Sequence, residues 1–188
     1  MSSSLTTGGT WKTVLIGDAA VGKTSIRRKY LGEGFITSHI ATLGVDFAQK
    51  HIYHDGRTHR LIIWDLSGQS GFERVRRHYY HGCSSMILVY SISDRESFDN
   101  ASKWLVEAFK YMGEIPPTIV VGNKIDLRST YPEKEFITTQ EGLDFAERFK
   151  KILNVSTIFI ETSAKTGENI QDAFRQLVDL MIIEESKG

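Results

Sequence analysis

Residues 17–24 of this chain have the sequence Gly-Asp-Ala-Ala-Val-Gly-Lys-Thr, which fits the pattern G-x-x-x-x-G-K-[ST]. Glycine lets the backbone curl so that successive N–H groups face the oxygens of a phosphate chain. In this pattern the lysine, here Lys23, bridges the β- and γ-phosphates, and the hydroxyl of Thr24 ligates Mg²⁺. The spacing therefore predicts a phosphate-binding loop for a nucleotide.

Two later segments indicate which base accompanies the phosphates. One is Asn-Lys-Ile-Asp at 123–126, and the other is Thr-Ser-Ala-Lys at 162–165. The carboxylate of Asp126 can accept hydrogen bonds from the N1–H and exocyclic amine of guanine, whereas adenine has neither donor at these positions. The backbone N–H of Ala164 is placed to donate to O6 of guanine. Because polar pairing of this kind discriminates by roughly 10⁴-fold, we expect a guanine nucleotide.

Strands and helices are predicted to alternate around these segments. An apolar run at 12–16 predicts a buried strand before the loop, and 24–30 predicts a helix after it. The Asp55-Gly56 pair predicts a hairpin between two extended runs. The other patterns predict strands at 85–92, 118–122 and 157–160, and helices at 97–111, 138–150 and from 170 onward.

These elements predict a three-layer α/β domain. We expect a six-stranded, mostly parallel sheet with one antiparallel edge strand and about five helices. Each motif described above follows a predicted strand, and ligands of such sheets bind beyond the carboxyl ends of the strands. The motifs should therefore meet at one edge of the sheet.

Composition predicts a single domain without a strongly charged partner. Lys and Arg together number 23, as do Asp and Glu, so we expect no nucleic-acid partner. Cys83 is the only cysteine, which excludes an internal disulfide and fits a reducing cytoplasm. We expect a mobile leader at 1–10, one domain at 11–185 and a short tail at 186–188.

The chain shows no apolar run long enough to span a membrane, no signal peptide and no lipidation motif. We therefore expect a cytoplasmic monomer without a stable membrane anchor. Any peripheral association with a membrane would run through partners or through a tail that this chain lacks.

The joint pattern resembles the Ras superfamily of small GTPases over residues 12–183. The phosphate loop and the motifs at 123–126 and 162–165 stand in the family's order and spacing. Residues 42–47, Trp64-Asp65 with Gly68-Gln69, and 163–169 look like the Rab branch in particular. The resemblance implies the fold of a P-loop GTPase, the G domain, and a molecular switch that binds GTP or GDP with Mg²⁺ and slowly hydrolyses GTP.

The resemblance also implies roles for individual residues. The catalytic set is Gln69, which orients the attacking water, with Lys23 and Thr42. The metal set is Thr24, Thr42 and Asp65, the last through a water. The nucleotide-binding set is Asp18, Ala19, Ala20, Val21, Gly22, Lys23, Thr24, Ser25, Phe35, Thr42, Gly68, Asn123, Lys124, Asp126, Ser163, Ala164 and Lys165. In this set Phe35 packs edge-on to the base, and the N–H of Gly68 contacts the γ-phosphate.

Partners follow from the same resemblance. Loss of the γ-phosphate releases two loops, and partners read this change. An exchange factor, a GTPase-activating protein and effectors are expected at residues 36–48 and 66–80, and the Rab likeness implies vesicle trafficking. Residues 39–41 contain no arginine, so we expect the activating protein to supply one. The basic run Arg74, Arg76 and Arg77 predicts either a solvated helix face or part of this partner surface.

Departures from the Rab pattern keep alternatives open. They cluster around the γ-phosphate, at Ala19, Ala20, His39, 66–67 and 70–71. A GTP-binding switch or scaffold with little or no hydrolysis is therefore the first alternative. An ATP-dependent kinase or ATPase is the second, which Asp126 disfavours. The six histidines lack the cysteines or carboxylates that would complete a metal site, and we interpret them as ordinary histidines.

Overall fold

The computed structural model of the chain describes residues 6–34, 42–54 and 56–186. In these ranges the strands are β1 (Thr6–Ile16), β2 (Val45–His54), β3 (Arg57–Leu66), β4 (Ser85–Ser91), β5 (Thr118–Asn123) and β6 (Thr157–Thr162). The helices are α1 (Lys23–Tyr30), α2 (Glu73–Tyr80), α3 (Arg95–Asp99), α4 (Ala101–Met112), α5 (Leu127–Thr130), α6 (Thr139–Leu153) and α7 (Ile170–Glu185). A single 3₁₀ turn at Ser70–Phe72 precedes α2.

The six strands form one sheet in the order β2-β3-β1-β4-β5-β6. Strands β2 and β3 pair antiparallel as a hairpin, with His54 opposite Arg57 at its tip, and every other pair is parallel. The predicted fold class is therefore confirmed, including the single antiparallel edge strand. Asp55, which the hairpin prediction used, lies outside the described residues.

Two hydrophobic clusters cover the two faces of the sheet, because successive strand residues point to opposite sides. On one face, Leu15 and Val121 pack against α1 and α7, whose buried stripe includes Phe174. On the other face, Val14 and Val120 pack against α2, α4 and α6. This layered packing leaves the carboxyl ends of the strands as the edge on which the predicted motifs lie.

Three local features differ from the predictions. Strand β1 begins at Thr6, so residues 6–10, which we assigned to a mobile leader, belong to the sheet; Thr6 and Thr7 pair with β3 before a register shift. The helix predicted at 97–111 is two helices, since Asn100 ends α3 and precedes α4. No bounds were predicted for α2 and α5, because helices of eight and four residues carry too few apolar positions to show a period. Helix α1 is as short as α2 but was predicted from its place after the phosphate loop.

Helix α6 begins as predicted. The Thr138 hydroxyl accepts a hydrogen bond from the N–H of Glu141, and the Glu141 carboxylate accepts one from the N–H of Thr138. This reciprocal cap satisfies two of the N–H groups that a helix start leaves free. None of the helices within the described ranges combines the length and the apolar sequence that crossing a membrane requires.

Candidate functional site

A cavity of about 750 Å³ opens at the carboxyl edge of the sheet. Fourteen of the residues predicted to act on nucleotide line it: Ala19, Ala20, Gly22, Lys23, Thr24, Ser25, Thr42, Gly68, Gln69, Asn123, Lys124, Asp126, Ala164 and Lys165. The phosphate loop follows β1, whereas the 123–126 motif begins at the last residue of β5 and the 162–165 motif at the last residue of β6. The topology thus brings segments that are far apart in sequence to one cavity.

The curl of the phosphate loop depends on glycine at both ends. Gly17 has φ 136° and Gly22 has φ 105°. A Cβ on Gly17 would overlap the backbone of Val89, and one on Gly22 would overlap the amide of Asn123. Ala20, however, has φ 61°, a left-handed conformation that costs a non-glycine residue about 1–2 kcal/mol. The loop therefore contains one strained residue beside the cavity.

Lys23 lies at the end of the cavity that the phosphate loop and Gly68 line, called here the phosphate end, and is almost fully buried. Its Nζ donates hydrogen bonds to the carbonyl oxygens of Gly17 and Asp18, at 2.7 Å each. Burial lowers the pKa of Lys23 to about 8, although the charges of Asp65 and Asp18 oppose this shift. Since the ammonium lies on the loop's own carbonyl groups at the start of α1, it is positioned beside the place where phosphates would sit.

The three predicted metal ligands meet at the same end of the cavity. The hydroxyl oxygens of Thr24 and Thr42 are 2.9 Å apart, and the Thr24 hydroxyl donates to Oδ2 of Asp65. The second carboxylate oxygen, Oδ1 of Asp65, is buried and has no hydrogen-bond partner among the residues that the structure describes, and burial raises the pKa of this residue. Mg²⁺ binds hard oxygen ligands, with one or two carboxylates beside substrate phosphates. The oxygen donors and the unpaired buried atom therefore fit Mg²⁺.

The end of the cavity that the 123–126 and 162–165 motifs line is called here the base end, and these motifs hydrogen-bond to each other. Asn123 is buried, and its amide nitrogen donates to the carbonyl of Val21 at 2.9 Å. Its Oδ1 accepts from the Thr162 hydroxyl and from the N–H of Ala164, both at 3.1 Å. The predicted contact between the Ala164 N–H and O6 of guanine therefore requires this N–H to be shared between O6 and Oδ1 of Asn123.

Asp126 and Lys124 complete the base end. The hydroxyl of Ser163 donates to Oδ1 of Asp126 at 2.6 Å, which orients the carboxylate. Lys124 has φ 73°, and its Nζ donates to the carbonyl of Ala20 at 2.6 Å; burial lowers the pKa of this lysine. The 123–126 motif is thus tied both to the phosphate loop and to the 162–165 motif.

Gly68 packs directly against the phosphate loop. A Cβ on Gly68 would overlap the peptide group between Asp18 and Ala19, so this close approach requires glycine. Gln69 follows it and is exposed at the cavity wall. The segment that precedes α2 therefore lines the cavity next to the phosphate loop.

Four predicted residues do not line the cavity. Asp18 accepts hydrogen bonds from Asn100 and Trp104 on the far side of the loop, and Val21 belongs to the hydrophobic core. Ser163 is buried behind Asp126, and Asp65 lies beneath Thr24. Any part that Asp18 and Val21 take in binding would run through their backbone. Phe35 lies outside the described residues, as do residues 36–41 and 187–188.

Sequence reasoning missed a set of basic residues that line the cavity. Arg27, Arg28 and Lys29 of α1 line it, and Arg27 forms an ion pair with Asp46 at 2.6 Å. The basic run Arg27-Arg28-Lys29, which comes shortly after the phosphate loop in the sequence, could have indicated them.

The interpretation of Arg76 as a solvated or partner-facing residue was wrong, because Arg76 is only 2% exposed.

A patch of aromatic rings from the β2–β3 hairpin and from α2 lies beside the cavity. The rings of Phe47 and Trp64 have centroids 5.0 Å apart, and those of Trp64 and Tyr79 are 4.8 Å apart. Phe47 remains 58% exposed and the nearby Leu43 80% exposed. Exposed apolar side chains grouped in this way are typical of protein-binding surfaces.

Comparison with known proteins agrees with this arrangement. Residues 12–183 match the sequence model of the Ras family. Ras-related protein RABD2c of Arabidopsis thaliana is 36% identical over 164 residues, which cover 87% of this chain and 76% of that protein. GTP-binding protein YPTM2 of Zea mays shows the same identity and coverage. The chain belongs to the Ras family and is a Rab-like member of the Ras superfamily of small GTPases.

Proposed function

We propose that this chain is a molecular switch that binds GTP or GDP with Mg²⁺ and slowly hydrolyses GTP. One observation carries the proposal: Lys23, Asp126 and Gly68 line a single cavity of about 750 Å³. Lys23 lies at one end of this cavity and Asp126 at the other, so the groups that would bind phosphate are separated from those that would bind the base. That arrangement suits a ligand with an anionic chain at one end and a flat polar ring at the other.

Guanine is the base that the oriented carboxylate of Asp126 favours. The Ser163 hydroxyl occupies one side of this carboxylate, which leaves acceptor capacity for the N1–H and amine of guanine. Adenine would place an N1 lone pair against the same carboxylate, and this mismatch costs roughly 10⁴-fold in preference. The ATP-dependent alternative is therefore disfavoured by the same residue.

Hydrolysis requires a water oxygen to form a bond with the γ-phosphorus while the bond from that phosphorus to the bridging oxygen of GDP breaks. GDP and inorganic phosphate leave; the inorganic phosphate takes up both protons of the water as H₂PO₄⁻ and releases one of them to solvent near neutral pH. Gln69 orients the water, and Lys23 stabilises charge on the β- and γ-phosphates. Thr24, Thr42 and Asp65 would hold a Mg²⁺ ion, which would supply further positive charge beside the phosphates.

Switching follows from which residues contact the γ-phosphate. We propose that Thr42 and the N–H of Gly68 bind it from two separate segments. After hydrolysis both contacts are lost, whereas the contacts of Asp126 with the base remain. A partner that binds near both segments can therefore distinguish GTP from GDP.

We propose that regulators and effectors bind at residues 36–48 and 66–80. The aromatic patch of Phe47, Trp64 and Tyr79 supports this surface, because it adjoins both segments and exposes apolar area. An activating protein would supply an arginine to the reacting phosphate. From its family we further propose a cytoplasmic protein, one G domain over most of its length, that acts in vesicle trafficking.

Single-turnover release of phosphate from bound GTP tests the proposal. With saturating Mg²⁺ we expect slow release, on the order of 10⁻⁴ to 10⁻² s⁻¹, and at least about tenfold slower release for Gln69→Leu. Gln140→Leu, an exposed glutamine on α6, serves as the matched control and should behave as the unsubstituted chain. GTP that stays bound and intact for many hours would support the non-hydrolysing alternative. An adenine nucleotide in the purified protein would contradict the choice of base.

A further inference from the structure

Arg76 is a buried arginine whose donors converge on the segment next to the γ-phosphate site. Its Nη1 donates to the carbonyl oxygen of Ser67 at 3.0 Å and to that of Gln69 at 2.6 Å. These two carbonyl groups lie on either side of Gly68 in the chain. One guanidinium nitrogen therefore holds the backbone before and after the residue that packs on the phosphate loop.

The guanidinium of Arg76 is itself held in place from α4. Its Nε and Nη2 donate to the two carboxylate oxygens of Glu107, both at 2.7 Å, which is the bidentate geometry that fixes a guanidinium plane. Tyr80 donates its hydroxyl to the same carboxylate at 2.8 Å. Burial would lower the pKa of Arg76, but the hydrogen bonds and charge of Glu107 outweigh it and raise this pKa.

The same guanidinium is linked to the phosphate loop through an aromatic ring. Its central carbon lies 4.6 Å from the ring centroid of Trp104, a cation–π contact. The Trp104 N–H donates to Oδ1 of Asp18 at 2.6 Å, and the amide of Asn100 donates to Oδ2 at 2.8 Å. Arg76 therefore stands between the segment at 67–69 and the outer side of the phosphate loop.

The planarity of the peptide group couples the carbonyl that Arg76 holds to the N–H of the next residue. A peptide group is planar and trans, so its C=O and N–H point in opposite directions. The carbonyl of Ser67 and the N–H of Gly68 belong to one peptide group. When Arg76 fixes this carbonyl on its own side, it also fixes the direction of the Gly68 N–H on the other side.

We propose that Arg76 is a positioning residue that orients the Ser67–Gly68 peptide so that the Gly68 N–H is already directed for the γ-phosphate. The inference rests on the proposed function, because it assigns a cause to the preference for GTP at that site. Arg76 does not contact the nucleotide in this account. It acts through the backbone that it holds, and Glu107 and Trp104 keep its guanidinium in the required plane.

Arg76→Lys tests the proposal most directly, since lysine keeps the charge but lacks the planar fork of donors. Affinity for a non-hydrolysable GTP analogue should fall on the order of tenfold, with GDP affinity within about twofold of the unsubstituted chain. Amides at 68–70 should also exchange hydrogen at least about tenfold faster in the GDP-bound protein. Arg128→Lys is the matched control, because Arg128 also forms a bidentate pair, with Glu161, and contacts a carbonyl away from the phosphate end.

A second variant covers the case in which Arg76→Lys does not fold. Glu107→Gln keeps the size of the side chain but removes the charge that holds the guanidinium, and it should shift the GTP-to-GDP affinity ratio in the same direction. An unchanged ratio together with unchanged amide exchange would overturn the proposal. Equal loss of GTP and GDP affinity would also overturn it, because that result indicates a general structural role. If the unsubstituted chain bound no guanine nucleotide, the proposed function would fail, and amide exchange would still decide the role of Arg76.

Discussion

The two ends of the cavity differ in how far their polar groups are satisfied by the protein itself. At the base end, both polar atoms of the Asn123 amide have partners, and Ser163 orients Asp126. At the phosphate end, Lys23 donates to carbonyl groups of its own loop, whereas Oδ1 of Asp65 is buried with no partner within the described ranges. The fold thus satisfies the polar groups named at the base end, whereas it leaves this carboxylate oxygen at the phosphate end for a ligand to satisfy.

In the proposed function, this difference would let one site hold its ligand and still change state. Contacts with the base would not depend on the number of phosphates and would keep the nucleotide bound throughout the cycle. Contacts of Thr42 and Gly68 with the γ-phosphate would be lost on hydrolysis and would therefore report its presence. Substitutions at the two ends should consequently affect different measurements.

The largest effect is expected at the base end. Asp126→Asn should lower GDP affinity by roughly 10³- to 10⁴-fold, because an amide cannot accept from both guanine donors. Xanthosine diphosphate should bind the variant better than GDP does, since xanthine has a carbonyl where guanine has an amine. Competition binding measures both affinities. Asp144→Asn, an exposed carboxylate on α6, is the control, and unchanged GDP affinity in Asp126→Asn would remove the basis for guanine recognition.

The next largest effect is expected at the phosphate end and should leave binding at the base end nearly unchanged. Gly68→Ala should lower affinity for a GTP analogue by about 100-fold while GDP affinity changes by less than about threefold, because the new Cβ would overlap the Asp18–Ala19 peptide. Gly71→Ala is the matched control, since a Cβ on Gly71 would lie more than 4 Å from every other atom that the structure describes outside its chain neighbours. Titration of a fluorescent nucleotide gives both affinities. Equal loss of GTP and GDP binding would show that the two ends are not separable.

A smaller effect is expected from the two alanines of the phosphate loop, and it should differ in sign between them. Ala20→Gly should raise the free energy of unfolding by about 0.5–1 kcal/mol, because glycine relieves the left-handed strain at φ 61°. Ala19→Gly should lower it by about 0.5–1 kcal/mol, since only unfolded-state entropy changes there. Urea unfolding of the GDP-bound proteins measures both. A loss of stability in Ala20→Gly would mean that this residue is not strained.

The smallest effect concerns α6, which packs behind the base end. The hydrogen bond from Arg95, followed by those from the N–H and hydroxyl of Thr138, lowers the pKa of Glu141 to about 2. This pKa is depressed in the folded state, so its stabilising contribution is complete above the unfolded pKa near 4.5 and is lost as pH falls towards 2. Urea midpoints between pH 3 and 7 should fall less steeply for Glu141→Gln. If the urea midpoint fell equally with pH in the unsubstituted chain and in Glu141→Gln, the lowered pKa of Glu141 would not be a cause of the acid sensitivity.

The base end and the phosphate loop were predictable because each is a short contiguous motif after a strand. Lys23, Thr24 and Asp126 lie where the spacing indicated, at one edge of the sheet. Arg76 was not predictable, since Arg74 and Arg77 beside it have the same chemistry and are exposed. Its partner Glu107 lies 31 residues away on α4, so only tertiary packing distinguishes it. Residues 6–10 likewise become a strand only because the long β3 offers a partner.

Hydrogen exchange in the GDP-bound and GTP-analogue-bound states observes both ends of the cavity in one measurement. We expect the amides of Thr42 and Gly68 to become more protected with the GTP analogue. The amides of Asp126 and Ala164 should exchange equally in the two states. Equal protection of Thr42 and Gly68 in both states, or a change at the base end as large as that at the phosphate end, would contradict the account.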